Sequence, residues 1–408
     1  MTRYASKPVT LKQAVKTGIF AYLGLRIWST AVVLLLTVYP PTVQPSSEPA
    51  RGMLTVLENS SAISRLFLSP WYRWDTVHYL DIAQSGYSRA FLSVWPPLYS
   101  WLIQLVSFTG ISLIAAAVLV SNLCAVGAFI LLYRMAEDLT EGAGNRALFF
   151  LAVFPTSFFL VAGYSEPLFI LLAAGSLYAG RQRSLWLAGL LASLAVLTRL
   201  QGVILALPLV YEGFVLYRHA RRGKTLRVRL FEFLKIAIPA ALPVLTAAGF
   251  AAYVRFVLKY PWPWETLAAE WGQHTGWPWE GVAGNFTSLA GLRLLTTPIN
   301  PLAQITDLTA VLFLIIMTGL MVTRWRDFPI GYTLYTVAGL LLVLTKLDDQ
   351  GLLVSVSRYA LSLFPVFLFA AAKQRRPLPP WANLLLLATG LTAHAVLLVC
   401  FARWIWIA

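Results

Sequence analysis

Trp95-Pro96-Pro97-Leu98-Tyr99-Ser100-Trp101-Leu102-Ile103 is the stretch on which the architecture of this 408-residue chain turns. It starts either a membrane span over 94–109 or a second helix lying in the membrane interface. The surroundings make the question one of membrane topology. The chain is 58% hydrophobic and only 12% charged, with a mean hydropathy of +0.70. A soluble domain carries roughly twice that charged fraction. Many apolar runs approach the ~20 residues a helix needs to cross a bilayer. The chain therefore reads as an all-α polytopic membrane protein.

Loop charges choose between the two readings. If 94–109 spans, Tyr164-Ser165-Glu166 and Asp75 fall on opposite sides, and the basic loop 218–229 falls outside. If it lies in the interface, spans fall at 18–38, 111–133, 147–163, 167–180, 184–198, 200–217, 231–257, 305–323, 328–345, 358–372 and 381–402. The loops assigned inside then hold Arg134, Arg146, Arg181, Arg183, the cluster from Arg218 to Arg229, Arg324, Arg326, Lys373, Arg375 and Arg376. Positive charge collects on the cytoplasmic side of membrane proteins, which selects the eleven-span topology with the N-terminus inside.

The net charge of +15 is explained by those clusters rather than by nucleic acid. Lys7, Lys12 and Lys16 precede a long apolar segment followed by Tyr39-Pro40-Pro41, so a retained span is expected there instead of a cleaved signal. Cys124 and Cys400 lie inside apolar runs and imply neither a disulfide framework nor a zinc site. Spans 167–180 and 184–198 are short for a straight crossing and are expected to leave a cavity at the outer face. No repeat or low-complexity segment organises the chain, which is expected to form a single domain over 1–408. Its two large external loops are 39–110 and the Trp- and Pro-rich 258–304.

Upstream of the deciding stretch lies Ser69-Pro70-Trp71-Tyr72-Arg73-Trp74-Asp75-Thr76-Val77-His78-Tyr79, closed by Gly86. Ser69 and Pro70 suit a helix start and Gly86 a helix stop. On one helix from 69 to 86, Trp71, Asp75, His78 and Ile82 share a face. That face would carry a carboxylate beside an imidazole at the membrane boundary. An ordinary interfacial anchor helix is the competing reading.

On the eleven-span topology four external features converge: Asp75 with His78, Glu166, Arg199-Leu200-Gln201-Gly202, and Arg358-Tyr359. Ionisable residues at spans are costly and by default functional. Outward snorkelling is the alternative for Arg199. A loop salt bridge is the alternative for Lys346 in Lys346-Leu347-Asp348-Asp349. A carboxylate can take a proton from an acceptor hydroxyl, and an arginine fork suits a phosphate. Sugar transfer from a lipid-linked phosphate needs both. Asp75, His78 and Glu166 are also of metal-ligand type, but their pattern is loose, and no metal or other cofactor is assigned. Trp-Pro segments such as Pro261-Trp262-Pro263-Trp264-Glu265, Trp271-Gly272-Gln273 and Trp277-Pro278-Trp279-Glu280 read as interfacial anchors, with a sugar- or isoprenoid-stacking surface as the other reading.

These residues also carry a resemblance. Arg73-Trp74-Asp75-Thr76-Val77-His78-Tyr79 with Gly86-Tyr87 resembles the signature of the phosphatidylinositol-glycan class V mannosyltransferases, members of the GT-C superfamily. Trp95-Pro96-Pro97-Leu98-Tyr99, Phe154-Pro155-Thr156-Ser157-Phe158-Phe159 through Tyr164-Ser165-Glu166, and Thr198-Arg199-Leu200-Gln201-Gly202 are similar to further elements of that family, with Gln201 where asparagine is commoner. Trp271-Gly272, Trp277-Pro278 and Ser357-Arg358-Tyr359 before Phe364-Pro365 resemble its later elements.

The resemblance implies a polyprenyl-phosphate-mannose donor, a glycolipid or glycan acceptor hydroxyl, inversion at the anomeric carbon and metal-independent chemistry in membrane lipid. Asp75 takes the place of the base and Glu166 that of the second acidic residue, with His78 beside Asp75. Arg358, Tyr359, Arg199 and Lys346 are assigned to the donor phosphate, and Trp74, Tyr164, Gln201 and Trp271 to the sugar or acceptor. Compactness points to a bacterial plasma membrane protein. Asn59-Ser60-Ser61 and Asn285-Phe286-Thr287 are glycosylation triplets that would suit the endoplasmic reticulum instead. A transporter or lipid flippase is the rival function, and a non-catalytic assembly subunit a second. A transporter would place acids mid-membrane in matching halves, whereas here they gather at one face.

Overall fold

The computed structural model describes residues 10–36, 61–220, 226–291, 301–373 and 378–407. The loop 39–60, with its first glycosylation triplet, and much of the basic clusters at 221–225 and 374–377 lie outside the described residues. The protein is helical and membrane-integral. Helices α1 (Leu11–Leu36), α2 (Ala62–Phe67) and α3 (Asp75–Ser85) lead to α4 (Leu98–Ser107). Then follow α5 (Leu113–Leu139), α6 (Ala143–Ala152), α7 (Glu166–Arg181) and α8 (Leu185–Thr198).

The second half has α9 (Ala206–Ala220), α10 (Leu226–Ala252), α11 (Pro263–Trp271) and α12 (Glu280–Ala290). Next come α13 (Pro301–Thr323), α14 (Ile330–Leu344), α15 (Val356–Ser362), α16 (Pro365–Lys373) and α17 (Pro380–Ala402).

Ten of the eleven expected apolar segments fall largely on helix. The expected span 147–163 is corrected, since α6 ends at Ala152 and only a 3-10 turn at Ser157–Leu160 follows before α7. α6, about 15 Å long, does not cross. Among the described residues six helices, Leu11–Leu35, Leu113–Leu139, Leu200–Arg218, Phe233–Val257, Pro301–Thr323 and Pro380–Ala402, are long and apolar enough to cross a bilayer. The segment 358–372 is a pair, α15 and α16, bent by 68°. The expectation for the deciding stretch also holds at the level of length. α4 has 10 residues, about 15 Å of rise, half of a ~30 Å hydrocarbon core. One face buries Tyr99 and Ile103 while Trp101 and Leu105 stay exposed, as an interfacial helix requires.

The short pair α7 and α8 positions the site. With 16 and 14 residues they rise about 24 and 21 Å, less than the hydrocarbon thickness. They form an antiparallel hairpin through the turn at Arg183, so the start of α7 and the end of α8 meet at the same depth. Glu166 opens α7, followed by Pro167 in the first turn, where its missing donor costs nothing. α8 stops where Arg199 turns extended (φ −153°). Gly202 N then donates to Arg199 O at 2.8 Å. A Cβ on Gly202 would stand 2.6 Å from Val196 N, so this turn accepts only glycine.

The expected helix from Ser69 is corrected. Ser69–Trp71 form a single 3-10 turn in which Ser69 makes no side-chain cap. α3 begins only at Asp75, after Trp74 at φ 52°. Trp71 therefore does not share a face with Asp75. Gly86 (φ 65°) does end the helix, its N–H donating to Ile82 O at 2.9 Å.

Two further features depart from the reading of the sequence. A short antiparallel ladder pairs β1 (His274–Thr275) with β2 (Lys346–Leu347), tying the Trp-rich loop to the loop before α15. The tetrapeptide Trp-Pro-Trp-Glu occurs at 262–265 and again at 277–280, and both copies build the same device. Trp262 N donates to Glu265 Oε2 and Trp277 N to Glu280 Oε2, each at 2.9 Å. The two indoles of each copy stack, with ring centroids 5.0 and 5.2 Å apart.

Candidate active site

α3 is seated on the rest of the protein by its own polar groups. Thr76 Oγ1 donates to Gly163 O at 3.1 Å, and Tyr79 OH shares a 2.7 Å hydrogen bond with Ser165 Oγ. Tyr79 packs edge-on against Tyr99, whose OH donates to Ala117 O on α5 at 2.9 Å. The left-handed Trp74 backbone, costly for a residue with a Cβ, is bracketed by one hydroxyl. Tyr164 OH accepts from Asp75 N at 3.3 Å and donates to Arg73 O at 3.4 Å. That places the Asp75 carboxylate at the first turn of α3, pointing toward α15.

There it meets Arg358. Arg358 Nη1 donates to Asp75 Oδ2 at 2.8 Å, and Arg358 Nε lies 3.2 Å from Glu166 Oε1. Arg199 Nη1 pairs with the same Glu166 oxygen. Arg199, Arg358 and Lys346 all surround the Tyr359 ring, at 5.0, 5.5 and 5.1 Å from its centroid. Lys346 Nζ donates to Tyr359 OH at 3.0 Å. Three cations and two carboxylates thus share one cluster, with one positive charge in excess. Burial pushes the Asp75 carboxyl up, but Arg358, His78 and Arg199 outweigh it and hold it below the usual aspartate range.

A cavity of about 440 Å³ opens over this cluster, within the roughly 300–1,000 Å³ of ordinary ligand pockets. Asp75, Arg199, Lys346, Arg358 and Tyr359 line its charged side, and Gln201, Gln273, Trp95, Trp271 and Trp406 line the rest. The cavity wall also includes Leu200, Val203 and Leu342, from segments that run into the apolar interior.

Several sequence assignments change. Glu166 does not face the cavity. It is fully buried, beneath the two arginines, and its Oε2 has no hydrogen-bond partner among the described residues. Tyr164 is buried too and acts on the Trp74–Asp75 backbone, not on the cavity. His78 packs on Trp95 at 4.3 Å and edge-on to Phe91 at 5.2 Å, instead of hydrogen-bonding Asp75. Burial holds its imidazole below the ordinary value against the pull of Asp75 and Asp81, so it is neutral at pH 7.

Trp74 sits behind the wall, packed against Trp404 and Trp406 at 5.5 and 5.1 Å. Arg199 is buried in its ion pair rather than snorkelling outward. Lys346 reaches Tyr359, while Asp348 Oδ1 is occupied by Gln350 N and Leu352 N at 3.0 and 2.7 Å. Arg358, Tyr359, Gln201 and Trp271 line the cavity.

Other residues at the site are not evident from the sequence. Arg73 holds the end of α17 through Ala402 O at 2.7 Å and the segment after it by stacking over Trp404 at 5.0 Å, next to Trp406 on the cavity wall. Its place beside Asp75 in the motif is the only signal for it. Trp406 has no local signal at all.

The family comparison agrees with the motifs. The family described as Mannosyltransferase (PIG-V) matches residues 24–272, more than half of the chain. GPI alpha-1,6-mannosyltransferase 2 of Cricetulus griseus is 32% identical, over 49% of this chain and 44% of its own length. The match thus spans less than half of that relative. Among solved structures, ArnT from Cupriavidus metallidurans in the apo state overlaps 87% of this chain and 76% of its own, with a TM-score of 0.41 and 15% identity. The Archaeoglobus fulgidus oligosaccharyltransferase in the apo form overlaps 94% and 56%, with a TM-score of 0.41 and 12% identity. On the extent of the family match, this chain belongs to the mannosyltransferase (PIG-V) family.

Proposed function

We propose that the protein is a membrane glycosyltransferase that moves a sugar, mannose in the simplest case, from a polyprenyl-phosphate donor to a hydroxyl of a glycolipid or glycan acceptor. The transfer inverts the anomeric carbon and takes place at the external face of the membrane. One observation carries the reading. A carboxylate on a helix start, Asp75, shares a cavity with Arg199, Lys346 and Arg358 where two short spans end. The excess positive charge matches the single negative charge of a sugar-linked phosphodiester. The apolar wall of Leu200, Val203 and Leu342 gives the isoprenoid a way back toward the lipid.

Asp75 is the general base. The acceptor oxygen attacks C1 of the sugar, the C1–O bond to phosphate breaks, and the hydroxyl proton passes to Asp75. The freed polyprenyl phosphate keeps the bonding electrons and the added negative charge. Lys346 and Tyr359 OH form the first grip on that phosphate, because Lys346 faces the cavity and makes no ion pair among the described residues. Arg199 and Arg358 stabilise the growing charge from the floor of the cavity. Glu166 neutralises and orients them from below.

A base and a leaving group must lie on opposite faces of the sugar, so the ring enters between Asp75 and the phosphate grip. Phosphate bound nearby offsets the charge of Arg358 and returns basicity to Asp75.

The test is incubation of the purified protein with polyprenyl-phosphate mannose and candidate glycolipid acceptors, following donor consumption. Release or transfer of mannose that is lost in Asp75→Asn supports the reading. A wild-type protein that leaves the donor intact with every acceptor, while moving lipid across vesicles, replaces it with the flippase.

A further inference from the structure

The geometry points to Thr156 and Asp307 as a clamp on a single residue, Ser357, that positions Arg358 and Tyr359. Ser357 N donates to Asp307 Oδ1 at 2.8 Å. Ser357 O accepts from Thr156 Oγ1 at 2.7 Å. Both side chains are buried, Thr156 at 0% and Asp307 at 4% exposure, and neither lines the cavity. They are positioning residues, not catalytic ones.

Helix α15 needs such a device. It has only seven residues, and the residue before it, Ser355, is left-handed (φ 56°) and makes no side-chain cap. A helix that short does not hold itself together. The two residues that face the cavity chemistry, Arg358 and Tyr359, directly follow Ser357. Fixing both the N–H and the C=O of Ser357 fixes the backbone from which they project. The far end is held as well, Tyr335 OH donating to Ser362 O at 2.8 Å.

A carboxylate inside the apolar α13 is expensive and calls for a role. Here it accepts a backbone hydrogen bond one residue before a guanidinium, which is where its charge is best tolerated. The role of the clamp in catalysis rests on the reading above, in which Tyr359 and Arg358 handle the donor phosphate. The clamp itself does not.

Two measurements on the full-length protein separate these. Hydrogen exchange of the segment 353–364 reads the clamp whatever the protein does. Steady-state kinetics with polyprenyl-phosphate mannose reads its consequence. Asp307→Asn and Thr156→Ser keep the acceptor and the donor, so both are expected within about threefold of the parent. Asp307→Ala and Thr156→Val remove them and are expected to speed exchange at Ser357. They should also lower kcat/KM about ten- to hundredfold, chiefly through the donor KM, since a displacement of about 1 Å can cost that much. Combined with Arg358→Lys, Asp307→Ala should add little further loss.

Unchanged exchange in folded Thr156→Val and Asp307→Ala would overturn the clamp. If Asp307→Ala does not fold, Thr156→Val alone decides. Faster exchange with an unchanged donor KM, where Lys346→Met and Tyr359→Phe also leave that KM unchanged, keeps the clamp and removes the phosphate reading.

Discussion

Arg358 Nη1 and Asp75 Oδ2 lie 2.8 Å apart, bridging 283 residues of sequence. The contact joins the residue best placed to act as a base to the cluster of cations best placed to receive a phosphate. It makes each half of the site depend on the other.

Asp75→Asn preserves size and removes basicity. A lost general base typically costs about 100- to 10,000-fold in rate, and donor binding should survive. Turnover and donor KM, measured side by side, check this. Glu166→Gln should behave differently. It leaves two buried arginines without their shared counter-ion, so thermal stability and donor KM should worsen together. Near-normal turnover in Asp75→Asn would move the base elsewhere.

The Asp75 ion pair sets a pH dependence. A carboxylate acts as a base only when ionised, and its pKa is held below the ordinary value of about 3.9. Activity should therefore persist through mildly acidic pH and fall only below that value. Arg358→Gln removes the largest opposing charge, so the acid limb of kcat/KM should move to higher pH. The folding contribution has the same sign. It is present above the unfolded pKa and lost as pH falls through the folded one. An acid limb unmoved by Arg358→Gln would separate Asp75 from the rate.

Lys346→Met and Tyr359→Phe should each raise the donor KM about tenfold, each removing one hydrogen bond or charge from the phosphate grip. Lys346→Arg should retain most of the affinity. Titration of the protein with polyprenyl-phosphate mannose, following intrinsic tryptophan fluorescence, provides the measurement, since Trp95, Trp271 and Trp406 line the same cavity.

The proposed topology places the turn at Gln182 inside and the loop at Ser88 outside, both exposed in the structure. Single cysteines there, in a background with Cys124 and Cys400 changed to serine, should label from opposite sides of sealed vesicles. Labelling from one side would overturn the sidedness and, with it, the external site.

The sequence by itself determined what depends on composition and local spacing. Apolar runs separate from polar ones because lipid and water reject opposite residues, so most of the spans, the interfacial α4 and the shortness of α7 and α8 are legible without coordinates. The break after Ala152 in the apolar run 147–163 is not. A proline after Glu166 and glycines at 86 and 202 mark their turns for local reasons. The gathering of Asp75, Arg199 and Arg358 was likewise legible, because ionisable residues at span ends have few places to go.

Tertiary structure decided what depends on partners far along the chain. Ser69-Pro70 carries a good helix-start signal, yet α3 begins at Asp75, because Tyr164 and the aromatic packing of Trp74 hold the preceding backbone left-handed. Glu166 lies beneath the arginines instead of beside Asp75, since two guanidiniums and one buried carboxylate find their lowest energy in contact. The grip of Lys346 on Tyr359 and the hold of Asp307 and Thr156 on Ser357 join residues 13, 50 and 201 positions apart. No local pattern encodes such pairs. Only packing that brings the segments together, and the cost of leaving a buried polar group unpaired, selects them.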